Sequence, residues 1–321
     1  MRILITGCAG FIGFHYTLKH LKSNNIVVGI DNINSYYSTK LKKDRLKILK
    51  KFQNFNFFKF DLKDNKKLQK VFDQFEFNYI VHLAAQAGVR YSYTNPQKYI
   101  DSNIISFTNM IENCRLRNIK NFFYASSSSV YGNQKKFPIK ENALTNPISL
   151  YGTTKLVNEE IAQSYSLNFN IKTTGLRFFT VYGPFGRPDM ALYKFVNLLK
   201  KNKPIELFNG GRHSRDFTYI DDIINSMDKV IKKRISKKNK ILSIVLNLAS
   251  GNPKKLVEFI YEIEKNLNVK ASFKKTKLQK GDVIKTFADI SRLRKLTNYY
   301  PKYNIKVGIK NFVDWHNSYH K

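Results

Sequence analysis

The sequence predicts an α/β fold: a Rossmann-type doubly wound parallel sheet with a smaller C-terminal mixed α/β domain. Three observations predict it. Over the first 180 residues, short apolar runs alternate with longer amphipathic stretches, the pattern of a parallel sheet covered by helices on both faces. The first run leads at once into Gly7-Cys8-Ala9-Gly10-Phe11-Ile12-Gly13, a glycine loop that opens a helix. Beyond residue 180 the alternation breaks, and a glycine- and proline-containing loop separates it from shorter, mixed elements.

In chain order, strands are expected at residues 3–6, 27–30, 57–60, 79–83, 122–126 and 173–177, with helices filling most of the gaps. A loop follows at 182–188, then a helix from 190 to about 200 and a short strand at 205–208. The lysine-rich stretch 232–240 reads as a solvated loop or helix end, and 244–249 as one more strand of the first sheet. The expected division is therefore 1–178 with 216–249 for the dinucleotide-binding domain, and 179–215 with 250–321 for the smaller one.

Composition narrows the function. The 321 residues suffice for a large core, and no apolar run reaches the 18 or so residues of a membrane span. The apolar run directly after Met1 reads as a strand and leaves no room for a signal peptide, so a cytoplasmic protein is expected. Two cysteines, Cys8 and Cys114, cannot form a disulfide framework or a metal cluster. His316 and His320 have metal-compatible spacing without a third ligand nearby, so no metal is expected. The formal charge of +33 invites a nucleic-acid reading. The lysines are scattered, however, beside abundant Asn, Ile, Phe and Tyr, as AT-rich codons produce, and no nucleic-acid-binding motif accompanies them. A biased surface is the better explanation.

Two constellations carry chemistry. The glycines at 7, 10 and 13 permit a tight turn and the close approach of a pyrophosphate to the helix N-terminus. Phe11 and Ile12 lie in the same turn, and Asp31-Asn32 end the next strand. There the Asp31 carboxylate can accept from both hydroxyls of an adenosine ribose and repel a 2′-phosphate, favouring NAD over NADP. The second constellation is the serine run 126–129 followed by Tyr151-Gly-Thr-Thr-Lys155. A tyrosine and a lysine at i and i+4 share one helix face, where the ammonium can lower the phenol's pKa while a serine bonds the same substrate oxygen. That arrangement takes a proton off an alcohol.

With these segments, His82-Leu-Ala-Ala-Gln-Ala-Gly-Val-Arg90 and Arg177-Phe-Phe-Thr-Val-Tyr-Gly-Pro184 make the chain resemble the extended short-chain dehydrogenase/reductase family of nucleotide-sugar enzymes. Within it, Gly186-Arg-Pro-Asp-Met-Ala191 and Arg215-Asp-Phe-Thr-Tyr-Ile-Asp-Asp222 are similar to the UDP-glucuronate 4-epimerases, and the likeness runs from residue 2 to about 316. The resemblance implies Tyr151 as general base, Lys155 as ribose anchor and Ser127, four residues before Tyr131, as the hydroxyl on O4. Ser126, Ser128 and Ser129 remain alternatives to it. The resemblance also implies a tightly held NAD, with Asp61 and Leu62 at its adenine, Ala84 and Ala85 beneath it and Asn103 near the active site. It further implies a homodimer formed through helices at about 96–116 and 150–168.

Oxidation at C4 of a glucuronate produces a β-keto acid that can lose carbon dioxide, so its carboxylate must be restrained. Arg187 can bind it through a charge-assisted fork and Thr180 can add a hydroxyl bond. Arg90 reaches either the same group or the diphosphate. By resemblance Phe208 covers the uracil, Arg215 binds the diphosphate, and Asp282 with Gln279 meets the uridine ribose, although Lys280 stands where relatives commonly have proline. Related dehydratases and decarboxylases keep an acid beside the serine, where this chain has Ser128 and Ser129. Without that proton handler, simple inversion at C4 is expected, interconverting UDP-glucuronate and UDP-galacturonate. The competing expectations are a UDP-glucose or UDP-N-acetylhexosamine 4-epimerase, a decarboxylase or 4,6-dehydratase, and a non-enzymatic NAD-dependent binding protein.

Overall fold

In the computed structural model, residues 1–236, 240–277 and 281–321 are described. The strands β1 (Arg2–Thr6), β2 (Ile26–Ile30), β3 (Phe55–Phe58), β4 (Tyr79–His82), β5 (Asn121–Ser127) and β6 (Lys172–Phe178) form one sheet with the later strand Ser243–Leu248. Their spatial order is Ser243–Leu248, β6, β5, β4, β1, β2, β3, and every pairing is parallel. The chain builds outward from β1 to β3, then returns to place β4 on the other side of β1. This reversal opens a crevice at the carboxyl ends of β1 and β4, where doubly wound sheets bind ligands.

Burial explains the strand sequences. Ile3, Leu4 and Ile5 are all inaccessible because both faces of β1 are covered, and so this strand is a continuous apolar run without alternation. The expected strand at 57–60 stands two residues earlier, at Phe55–Phe58. Its partner β2 ends at Ile30, opposite Phe58, so later residues have nothing to pair with. The strand expected at 244–249 does join the first sheet, beside β6.

The helix Leu150–Phe169 lies against the sheet. Ser149 caps it by accepting from Gly152 N at 3.1 Å, and Asn170 ends it in the left-handed conformation. Later in the chain, the helices Ala191–Lys200, Leu256–Leu267 and Ile305–Tyr319 pack as a group next to the parallel pair Ile205–Phe208 and Phe273–Thr276.

Several contacts cross between the two expected shares of the chain. Thr180–Tyr182 pairs with Phe217–Tyr219, one strand from each expected share. The helix Ser291–Thr297 packs on Ile220–Ile235 and on the sheet strand Ser243–Leu248, although it lies in the 250–321 segment. Among the described residues, no helix is long and apolar enough to cross a membrane, and no group of three or more His, Cys, Asp or Glu could hold a metal ion.

Asp216 gathers several of these crossings. Its inaccessible carboxylate accepts from Ser250 N (2.9 Å), Ser250 Oγ (2.6 Å), Gly251 N (3.1 Å) and Ala288 N (3.2 Å). Removing it strands several buried donors at once. Asp216→Ala is therefore expected to lower stability by about 3 kcal/mol, read as a fall in the urea midpoint at unchanged slope.

Candidate active site

A cavity of about 1050 Å³ runs along the carboxyl ends of the central strands and on toward the C-terminal helices. It is as large as the upper end of the usual single-ligand range, with room for two elongated ligands. The glycine loop forms one end. Gly7 has φ +69°, and a Cβ on it would stand 2.7 Å from Ala84 N. A Cβ on Gly13 would stand 2.0 Å from Gly7 O, so this crossing of loop and helix admits no side chain. Gly10 closes the turn by donating to Gly7 O at 2.9 Å, and as N-cap it supplies no side-chain acceptor to the helix amides. This is a cradle for a phosphate.

Asp31 ends β2 at the cavity wall, where its carboxylate accepts from Ala9 N at 3.1 Å and Ile33 N at 2.8 Å. Burial raises its pKa, while those amides and the charge of Lys42 act against the rise. Asn32 donates to Asp61 Oδ2 at 3.0 Å, which joins the two expected adenosine contacts into one wall. Leu62, Ala84 and Ala85 complete it, with Phe11 and Ile12 opposite in the glycine turn. These residues fit a dinucleotide: a side-chain-free phosphate cradle followed, at the end of the next strand, by a carboxylate that can accept ribose hydroxyls.

Asn103 lies just behind the cavity wall. It is 1% exposed and outside the cavity wall. Its amide oxygen accepts from Gln86 N at 2.8 Å, and its nitrogen donates to Gln86 O at 3.1 Å and Thr154 Oγ1 at 3.0 Å. A π-helical turn, Ile100–Ile105, aims it at the loop after β4. It braces that loop against the Leu150–Phe169 helix.

Tyr151, Lys155 and Ser127 meet in the cavity. Ser127 stands beside the Tyr151 phenol, near enough to act on its pKa. The neighbouring Ser126 hydroxyl instead turns to Glu159, while Ser129 N and Oγ both lie 3.2 Å from Ser127 Oγ. Burial pushes the phenol's pKa up, and Ser127 and the charge of Arg187 act against the rise. The expected pull from Lys155 is not among these influences. Its ammonium donates to Ala125 O at 2.9 Å, and burial brings it down to about 8 although Glu159 works to keep it charged.

At the other end, Arg187 is not the free fork that its loop position suggested. Its Nε and Nη2 bind the Asp189 carboxylate at 3.0 and 2.5 Å, and Tyr36 donates to the same carboxylate at 3.0 Å. The Nη1 face has no such bond to Asp189. Thr180, Ser128 and Ser129 line the wall between this cluster and the serine run. Farther out, Arg90 pairs with Asp282 at 3.1 Å and lies 5.1 Å from the Phe208 ring centre. Arg215 donates to Ile284 O at 2.9 Å, and burial lowers its pKa against the charge of Asp282. Gln279 and Lys280 lie outside the described residues.

Several site residues escaped the sequence reading. Lys42 lines the cavity beside Asp31 and donates to Asn34 O and Oδ1 at 2.7 and 2.8 Å. Arg45, inaccessible, ties Ala9 O (2.8 Å) of the glycine loop to Phe185 O (2.6 Å) of the Arg187 loop. Both sit in the lysine-rich helix Thr39–Leu49, where nothing distinguishes them from solvated cations in so basic a chain.

Sheet order, glycine cradle and the Ser-Tyr-Lys cluster define a dinucleotide-binding protein of the short-chain dehydrogenase/reductase class. Residues 3–245 match the model of the NAD dependent epimerase/dehydratase family, and the chain belongs to that family. It is 45% identical to Protein CapI of Staphylococcus aureus, over the whole of both chains. It is 39% identical to a probable UDP-glucuronate 4-epimerase of Rhizobium meliloti, covering 98% of this chain and 97% of that one. The structure of UDP-glucuronic acid 4-epimerase from Bacillus cereus, in complex with UDP-glucuronic acid and NAD, superposes with a TM-score of 0.92. That match has 34% identity and covers 99% of this chain and all of the other.

The cradle has a direct test. Gly13→Ala must push the Gly7 carbonyl aside, so NAD affinity is expected to fall roughly 10- to 100-fold in calorimetry. A circular dichroism spectrum unchanged from wild type would show that the sheet itself is retained.

Proposed function

We propose that this protein is a UDP-glucuronate 4-epimerase that interconverts UDP-glucuronate and UDP-galacturonate through a transient 4-keto sugar. The observation that carries the reading is the wall around Tyr151. Ser127 and the charge of Arg187 both act on the phenol, and serines occupy the two positions after Ser127. A sugar with O4 at Tyr151 then has its C5 carboxylate within the field of Arg187, and no acid stands beside Ser127 to drive elimination.

Tyr151, as phenolate, takes the O4 proton while Ser127 holds O4. A bound NAD would supply the hydride acceptor and donor for C4, so the reaction would carry no net redox change. Tyr151 then gives the proton back. Lys155, charged below about pH 8, anchors the nicotinamide ribose and favours the phenolate when the site is filled. Gly7, Gly10, Gly13, Asp31, Asp61 and the wall of Leu62, Ala84 and Ala85 hold the dinucleotide, and Asn103 serves them only indirectly. Phe208, Arg215, Arg90 and Asp282 hold the nucleotide diphosphate, leaving the sugar free to turn in the cleft. Arg187 and Thr180 keep the carboxylate out of line with the ketone's π system, which suppresses loss of carbon dioxide.

The same reading takes the cleft to lie between a dinucleotide-binding and a nucleotide-sugar-binding domain. It assembles two copies through the helices of 96–116 and 150–168, a choice supported by the exposed Leu116, Leu167 and Phe169. It places the enzyme in the cytoplasm, which suits two buried, unpaired cysteines.

Purified protein given UDP-glucuronate without added NAD is expected to form UDP-galacturonate by NMR. Pentose or 6-deoxy sugar as the main product would contradict the reading. Tyr151→Phe should lower kcat by about 10²- to 10⁴-fold. Arg187→Ala should cost about 10- to 100-fold in kcat/KM on UDP-glucuronate and far less on UDP-glucose. Equal losses on both would favour a neutral-sugar epimerase.

A further inference from the structure

At the cavity wall, the Leu150–Phe169 helix and the end of β5 meet at three consecutive points. Tyr151, Lys155 and Glu159 follow each other at four-residue intervals, so they share one helix face. Tyr151 lies beside Ser127, Lys155 donates to Ala125 O, and Glu159 accepts from Ser126 Oγ. Three successive strand residues thus hold three successive helix positions, and only the third pair lies beyond the expected catalytic set.

Glu159 is itself held. Arg177, at the end of β6, binds it through Nε at 2.9 Å and Nη2 at 2.6 Å. The remaining Arg177 nitrogen donates to Tyr131 Oη at 2.8 Å and Glu141 O at 2.9 Å. Glu159 is 7% and Arg177 4% exposed, so the pair sits in the interior with its hydrogen bonds filled. A pair that served packing alone would have no reason to share its carboxylate with the residue next to Ser127, or to stand one helical turn behind Lys155.

We propose that Glu159 is a positioning residue for the reaction, with Arg177 as its counter-ion. It sets the register of the catalytic helix on β5, one helical turn behind Lys155. The proposal rests on the reading of Tyr151 and Lys155 as the reacting pair.

The surrounding titratable groups leave Glu159 as the charge that acts on Lys155. His82, from β4, is lowered by burial to about 3 and stays neutral. Tyr124, from β5, is raised by burial, and Tyr131 is raised to about 12, again chiefly by burial. The Glu141 carboxylate accepts from Asn247 N at 3.0 Å, on the far side of Arg177. Burial works against the charge of Arg177, and the bonds to Glu159 more than offset it. Burial likewise lowers Lys155, and Glu159 acts in the opposite sense. Neutralising Glu159 therefore makes Lys155 lose its proton at lower pH.

Glu159→Gln alone leaves Arg177 buried without a partner and risks unfolding. The test therefore uses Glu159→Gln combined with Arg177→Gln, with Glu159→Asp as the charge-conserving variant. In each full-length protein, the pH dependence of Lys155 acetylation by acetic anhydride is read by peptide mass spectrometry, alongside kcat and KM for UDP-glucuronate. The double variant is expected to titrate Lys155 at lower pH than the wild type. It should lose at least about 10-fold in kcat at pH 8 with KM changed less than about 2-fold, while Glu159→Asp restores most of both. A folded double variant with wild-type Lys155 titration and wild-type kcat would overturn the proposal. A wild-type protein that does not epimerise would refute the functional reading instead, and the acetylation curve would still decide the role of Glu159.

Discussion

The active site depends on how the Leu150–Phe169 helix is held against the last turn of β5. A phenol that works as a base must meet a hydroxyl and an ammonium within fractions of an ångström, and here helix and strand supply all three from one contact. The strand contributes Ala125 O and the hydroxyls of Ser126 and Ser127, and the helix contributes Tyr151, Lys155 and Glu159. Ser149 fixes where the helix begins. A slip of one residue on either element would break every grip together.

Burial runs through the energetics of that contact. It raises the Tyr151 phenol and lowers the Lys155 ammonium, so the interior by itself disfavours both charged forms. Working against it are fixed partners: Ser127 and Arg187 for the phenol, Glu159 for the ammonium. The Arg187–Asp189 pair and the Arg177–Glu159 pair flank the site on two sides, each balancing its own charge. The cavity can thus be strongly polar where chemistry occurs and yet carry little uncompensated charge in its walls.

Legibility in the sequence followed locality. The glycine loop, Asp31 at a strand end and the Tyr-Lys spacing are short-range patterns whose chemistry depends on a few residues of backbone, and each lies where the sequence placed it. So does the sheet, because its central strand is buried on both faces. What the sequence hid depends on contacts between distant segments. Arg45 joins residues 36 and 140 positions away, and Arg177 finds Glu159 only because β6 lies beside β5. The hold of Asn103 on Gln86 was hidden for a related reason: a π-helical turn aims it at a loop, which no spacing rule reveals. Asp189 lies two residues from Arg187, yet its pairing depends on a loop conformation that also brings Tyr36 across the cavity.

The central claim is that a proton leaves O4 to Tyr151 while a hydride leaves and returns within the closed site. Incubating the protein with UDP-glucuronate deuterated at C4, in ordinary water and without added NAD, tests it most directly. The account predicts UDP-galacturonate that keeps its C4 deuterium, seen by NMR and mass spectrometry. Epimer that has lost the label to solvent, or label retained only in unreacted substrate and a decarboxylated pentose, would contradict it.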